Sequence, residues 1–321
     1  MEPALFVKPW GGHLLAKRYG KRAAGPSATE PIGEAWEISG RDEGSSRVRT
    51  GPLAGRTLAE LVREYPREIL GDAATRSTAP PRFPLLLKIL DCRETLSVQV
   101  HPDDARARAK GDLGKEEAWV VLEATPDAAL YLGFTRPVTE AEVRDAIAQG
   151  TLPALMRKVS VEPGEVYHLV PGTVHAIGAG CLLAEIQQSS DLTYRLYDWG
   201  RVGLDGQPRA LHIEESLACA KLRPGSCACH ARAEDVPGGA LEALIRGRHF
   251  ALDRLHLDGR HPRSTHNVPL LVLALDGAVQ VASAAGKAEL GPASSALVPA
   301  CAEGVALTGR ATVLLAYPPT R

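Results

Sequence analysis

Within the run LSVQVHP, Gln99 and His101 stand two residues apart. Successive side chains of a strand point to opposite faces, so a strand here projects both from one face, and two metal ligands can start there. A carboxylate follows in GKEEAW at 114–119, and a second imidazole in PGTVHA at 171–176, a tight loop after a strand-like run. Gln, His, Glu and His make a mixed oxygen and nitrogen set suited to a borderline divalent metal such as zinc. A lone strand histidine is more often a hydrogen-bonded structural residue than a ligand, so the weight of the reading lies on the four together.

The order QVHPDD, GKEEAW, PGTVHA and EIQQSSDLTYRLYDW resembles the type I mannose-6-phosphate isomerases in their shorter bacterial form, within the cupin superfamily. KPWGG at 8–12 and GEAWEIS at 33–39 extend the resemblance over about the first two-thirds of the chain. It implies interconversion of mannose 6-phosphate and fructose 6-phosphate through an enediol, with one divalent metal per chain, zinc or in its place cobalt, manganese or iron. It places the ligands on Gln99, His101, Glu117 and His175. Strand alternation also gives the pocket only one of the adjacent carboxylates, which leaves Glu116 as a solvated surface charge.

The same resemblance implies a catalytic Arg195, stabilising charge that develops on oxygen or holding phosphate, with Glu185, Lys115 and Lys88 as candidates for proton transfer. Ser97, Lys88, Asp191 and Trp10 match substrate-pocket positions, and Arg201 is a weaker phosphate candidate. Without the resemblance, Arg195 reads as a surface ion pair and Trp10 as core. His13, His212, His249, His256, His261 and His266 fall outside the matched motifs and read as structural or exposed. The alternative from another class is a noncatalytic cupin that binds a sugar phosphate.

The 321 residues carry a net charge of -1 from 37 basic and 38 acidic side chains, which offers no broad field for nucleic acid or anionic membrane. The partner implied is a small sugar phosphate met by a local basic pocket; the oligomeric state is open. MEPALFVKPWGG breaks up any apolar run before it can act as a secretory signal, and no stretch reaches the length of a membrane span, so a cytoplasmic location is expected. Six cysteines need not form disulfides there. Cys227, Cys229 and His230 lack the spacing of a zinc finger or ribbon and read as a loop with incidental thiols.

Positioning the site requires sheets. Short β-rich runs at 83–90, 96–100, 118–124, 164–170, 181–187 and 193–199 lie between Pro and Gly turns and predict an antiparallel sandwich or barrel. Helices are predicted over 57–70 behind a Thr57 cap, from Thr139 with Glu142 completing a capping box, and around 211–221. LRPGSCACHARAEDVPGG reads as a linker. Beyond it, more short strands, an Asp276-Gly277 turn and a degenerate echo of 161–177 at 290–307 that has lost its histidine predict a second barrel. The expected fold is therefore mainly β. Two cupin-type jelly-roll barrels make it up, a catalytic unit over 1–225 with helical insertions and a smaller barrel over 240–321 without a metal site.

Overall fold

A strand with apolar residues on both faces has to be covered twice, and the central strands here are of that kind. Leu85–Cys92 and Cys181–Gln188 are buried at every position. The computed structural model describes residues 1–22, 30–76, 81–225, 227–284 and 286–320. Its strands form three antiparallel sheets. The first has seven strands in the order Ala4–Gly12, Ile32–Ser39, Leu85–Cys92, Cys181–Gln188, Glu117–Ala124, Val166–Leu169 and Ala228–Cys229. The second has five: Tyr194–Tyr197, Val98–Val100, His175–Ile177, Ala129–Phe134 and Met156–Ser160. An eight-stranded third sheet begins at Ala233–Val236 and is built around the long pair Ala251–Arg263 and Val305–Tyr317.

The period of two sorts each strand between two cores. In the first sheet Leu90, Trp119, Val121 and Leu183 pack with Leu130, Leu132 and Ile177 of the second sheet. Their neighbours Leu87, Ile89, Val120, Leu182 and Ala184 turn the other way. There they join Leu58, Leu61 and Val62 of a helix and Leu252, Leu271, Leu273 and Leu314 of the eight-stranded sheet. The other face of the second sheet, with Val98, Val100, Val174 and Ala176, is covered by Val143 and Ala146 of one helix and Leu217 of another. The result is the mainly β fold that the strand spacing predicts.

Thr139 caps Glu140–Ala148 with the full capping box, its hydroxyl accepting from the Glu142 amide while the Glu142 carboxylate accepts from the Thr139 amide. The helix predicted over 57–70 is instead two, Leu58–Glu64 and Pro66–Leu70. Pro66 has no amide to continue the first helix and disfavours helical backbone at Tyr65, so the chain restarts with proline in the first turn of the second. The segment read as a linker is also partly structured: Ala228–Cys229 adds a strand beside Val166–Leu169, and Ala233–Val236 edges the third sheet. Position 226 within it lies outside the described residues. The Asp276-Gly277 turn joins strands that pair with Val305–Tyr317 rather than with each other.

Because Leu273 of the third sheet and Leu87 of the first share one core, truncating either should weaken the whole molecule. Leu273→Ala is expected to cost about 2–5 kcal/mol through lost burial and a residual cavity. Urea unfolding of the variant should show one transition at a lower midpoint.

Candidate active site

Two rows of paired residues bring polar side chains into the space between the first and second sheets. Across the first sheet Trp36, Lys88, Glu185, Trp119 and Tyr167 stand in register, with Glu117 opposite Gln187 one step along. Across the second, Arg195 pairs with Gln99, and Gln99 with His175. Lys88, Glu117 and Glu185 share the face that carries Leu90, Trp119 and Leu183, so alternation alone points them at the second sheet. His101 follows the short strand Val98–Val100 and is held by its backbone, whose carbonyl accepts from the Gly172 amide at 2.9 Å. Gly172 lies at φ +86, and a Cβ there would stand 2.7 Å from the Cys219 carbonyl oxygen, so the loop carrying His175 needs glycine at this point.

His101, Glu117 and His175 offer ligand atoms that all lie within 4.8 Å of one another, and all three side chains are buried. His101 Nδ1 lies 2.9 Å from the Leu192 carbonyl oxygen and His175 Nδ1 2.8 Å from that of Thr173. Each Nδ1 therefore carries the proton, and each neutral ring turns the Nε2 lone pair inward. Burial drives both imidazoles toward this neutral form: His175 is lowered to about 4, and His101 well below its ordinary value, with Lys115 and His175 adding to the effect. His175 Nε2 lies 3.1 Å from Glu117 Oε1, yet that buried oxygen has no hydrogen-bond partner. A lone pair facing a carboxylate oxygen is repulsive unless a cation lies between. The donor set fits a divalent metal on that observation.

Gln99 is the fourth member, its amide nitrogen 3.3 Å from His175 Nε2. A half-turn of the amide keeps its shape and presents the oxygen instead. Lys115 Nζ stands 2.5 Å from Glu117 Oε2 and 3.1 Å from His101 Nε2, against the same cluster. Burial raises Glu117 to about 7, a rise that Lys115 partly offsets.

A cavity of about 290 Å³ opens beside this cluster. Trp10, Lys88, Ser97, Gln99, Lys115, Glu185, Asp191 and Arg195 all line it, so the residues expected for substrate or catalysis, Arg201 apart, meet in one place. Lys88 lies 3.5 Å from Glu34 and 3.4 Å from Glu185. Burial would lower it, but Glu34 and Glu185 outweigh that and keep it protonated. Burial works to raise Glu185, and Lys88 and Lys115 more than offset it, so the net shift is downward; its Oε1 accepts from Trp119 Nε1 at 2.9 Å. Burial lowers Arg195, with Arg209 adding to it; one of its amino groups donates to the Ala210 carbonyl.

Residues 1–131 match the family model described as phosphomannose isomerase type I, catalytic domain. A Bacillus subtilis (strain 168) protein named "Probable mannose-6-phosphate isomerase GmuF" is 33% identical over 320 residues, 99% of this chain and 98% of that one. The Streptococcus mutans "Mannose-6-phosphate isomerase" is 42% identical over 218 residues, 68% of this chain and 66% of that one. The crystal structure of the mannose 6-phosphate isomerase from Bacillus subtilis superposes with a TM-score of 0.88 at 30% identity, covering 98% of this chain and 97% of that chain. This chain belongs to the type I phosphomannose isomerase family.

Three charged pocket residues of this family member escaped the sequence reading. Lys8 and Glu34 sit inside the recognised KPWGG and GEAWEIS runs, but nothing local shows that both reach the cavity. Arg209 lines it too, its guanidinium held by Asp198 at 2.6 and 2.7 Å. Arg201, the weaker phosphate candidate, is turned to the Asp198 carboxylate and the Thr95 carbonyl and does not line the cavity. Glu116 corrects a second reading. Far from a solvated charge, it is 3% exposed and accepts from His168 Nε2 at 2.7 Å, because the reverse face of its strand is covered by the third sheet. Cys227 and Cys229 flank the short strand residue Ala228 rather than converging on a site, and all six cysteines are free thiols. No helix among the described residues is long and apolar enough to cross a membrane.

Glu34 provides a pH test of this charge arrangement. Burial works to raise it, but Lys88 and Lys8 prevail and take it from 4.5 to about 2. A carboxyl depressed in the folded state contributes stability above its unfolded pKa, and that contribution fades as pH falls toward the folded value. Urea midpoints of the wild type should therefore decline between pH 4.5 and about 2 by more than those of Glu34→Gln, which lacks this component.

Proposed function

We propose that this chain is a metal-dependent aldose–ketose isomerase that interconverts mannose 6-phosphate and fructose 6-phosphate. The observation that carries the reading is the inward-facing donor set of Gln99, His101, Glu117 and His175 beside a cavity lined by Lys88, Lys115, Glu185 and Arg195. Zinc suits two imidazoles, one carboxylate and one amide, and cobalt, manganese or iron would also be accepted. Bound there, the metal would supply Lewis acidity toward the sugar oxygens. The noncatalytic alternative has no observation in its favour.

Isomerisation moves a proton between C2 and C1, with negative charge developing on oxygen as the carbon-bound proton leaves. Glu185 is the most enclosed ionised carboxylate in the cavity and is assigned as the group that takes and returns this proton. Lys88, locked in its charged form, and Lys115 are donors for the developing oxyanion. Arg195 and Arg209 offer guanidinium groups to charge or phosphate, and the Ser97 hydroxyl lines the same cavity. Trp10 walls the sugar site and Asp191 stands at its exposed rim. The substrate is a small sugar phosphate, and a cytoplasmic location accords with six free thiols.

A coupled assay for fructose 6-phosphate formed from mannose 6-phosphate, together with elemental analysis, tests the reading. The purified protein should hold about one divalent metal. Stripping it with chelator should abolish turnover while far-UV dichroism is retained, and metal should restore activity. Activity surviving in fully stripped protein would exclude the mechanism.

Arg195→Lys separates two roles for the arginine. If its planar fork stabilises charge present only in the transition state, kcat should fall ~10²-fold or more with KM little changed. If the residue holds phosphate, KM should rise at nearly constant kcat. Wild-type kinetics would exclude both.

A further inference from the structure

We propose that Glu116 is a positioning residue for its neighbours Lys115 and Glu117, and that the turn at 247–250 of the eight-stranded sheet is the socket that holds it. This inference rests on the metal reading above. Lys115 and Glu117 point toward the second sheet, and alternation sends the side chain between them to the reverse face. There Glu116 Oε1 accepts from His168 Nε2 at 2.7 Å and from the Arg248 amide at 3.3 Å, and Oε2 from the His249 amide at 3.2 Å. A solvated carboxylate makes no such set of contacts. Three donors, one side chain and two amides, converge on a group that is 3% exposed.

The socket is shaped for this carboxylate. A Cβ at Gly247 would stand 2.4 Å from Glu116 Oε1, so only glycine admits the oxygen at that point. The turn closes through the Gly247 amide and the Phe250 carbonyl at 2.9 Å, and the fully buried Phe250 meets the His168 ring edge-on at 6.1 Å. The contacts form a cycle. His249 Nε2 lies 3.5 Å from Asp104 Oδ2, Asp104 Oδ1 accepts from Gln188 Nε2 at 3.0 Å, and Gln188 Oε1 accepts from the Glu116 amide at 3.0 Å. Asp104 Oδ1 also takes the Gly114 amide at 2.8 Å, and the Pro102 carbonyl takes that of Lys115 at 3.1 Å. The segment 114–117 is thus clamped from behind by His168, Gln188, Asp104 and the distant 247–250 turn, while its other face presents a metal ligand and a cation. A displaced ligand binds its metal less well, so the clamp acts on the site without touching it.

The test measures metal affinity by competition with a chelator, alongside kcat, KM and amide exchange of 114–118 in metal-free protein. Glu116→Ala should weaken zinc binding ~10–100-fold and lower kcat, with KM for mannose 6-phosphate near wild type. Glu116→Gln keeps an acceptor oxygen in place and should recover most of the affinity. Gly247→Ala removes no polar group and should reproduce the loss by pushing the carboxylate out of its socket. Wild-type zinc affinity in Glu116→Ala, whatever its thermal stability, would overturn the proposal; if that variant does not fold, wild-type affinity in Gly247→Ala overturns it. A wild-type protein that takes up no metal would overturn the metal reading alone. The clamp is then decided by exchange, faster exchange confined to 114–118 in the variants supporting it and unchanged exchange overturning it.

Discussion

Three largely buried carboxylates, Glu34, Glu117 and Glu185, stand between two β-sheets, and the site is organised by the need to match their charge. Lys88 lies between Glu34 and Glu185, and Lys115 lies against Glu117. Ammonium groups answer part of the negative charge, but one buried Glu117 oxygen, 3.1 Å from the His175 Nε2 lone pair, still lacks a partner. Desolvated charge without a partner is among the most costly features a core can contain. A divalent metal held by Glu117 and the two histidines would complete the balance, and the polar array is intelligible as one unit on those terms.

That array is compatible with a stable fold because strand alternation keeps it apart from the apolar packing. Lys88, Glu117 and Glu185 point one way, while Leu87, Ile89, Ala118, Ala184 and Ile186 point the other into a continuous core shared with a helix and the third sheet. The sheet is thus closely packed behind these polar groups. Glu116 lies on the apolar side, and its burial draws three donors and a glycine-lined turn around it.

Some of this was open to a reading of the residues alone. The capping box at Thr139, the strand runs around 85–92 and 181–188, and the pairing of Gln99 with His101 are local patterns with short-range causes. The helix break at Pro66 was equally local, yet the apolar spacing of Leu58, Leu61, Val62 and Tyr65 masked it. The two short strands within 222–239 had no comparable signal. The backbone groups of Ala228–Cys229 are satisfied by the distant Val166–Leu169, and those of Ala233–Val236 by the adjoining strand Gly239–Arg246.

By itself the sequence determined the family, the mainly β class, and which side of each strand its residues take, because alternation and motif order are properties of neighbouring positions. It could not decide which charges meet. Glu116 and Glu117 are adjacent and chemically identical; one faces an imidazole pair and the other a turn formed by residues 247–250. Arg201 and Arg209 share the same aspartate, yet only Arg209 reaches the cavity. Burial and pairing depend on segments brought together by long-range packing, and the protonation and role of a carboxylate or guanidinium follow from those partners rather than from its place in the chain.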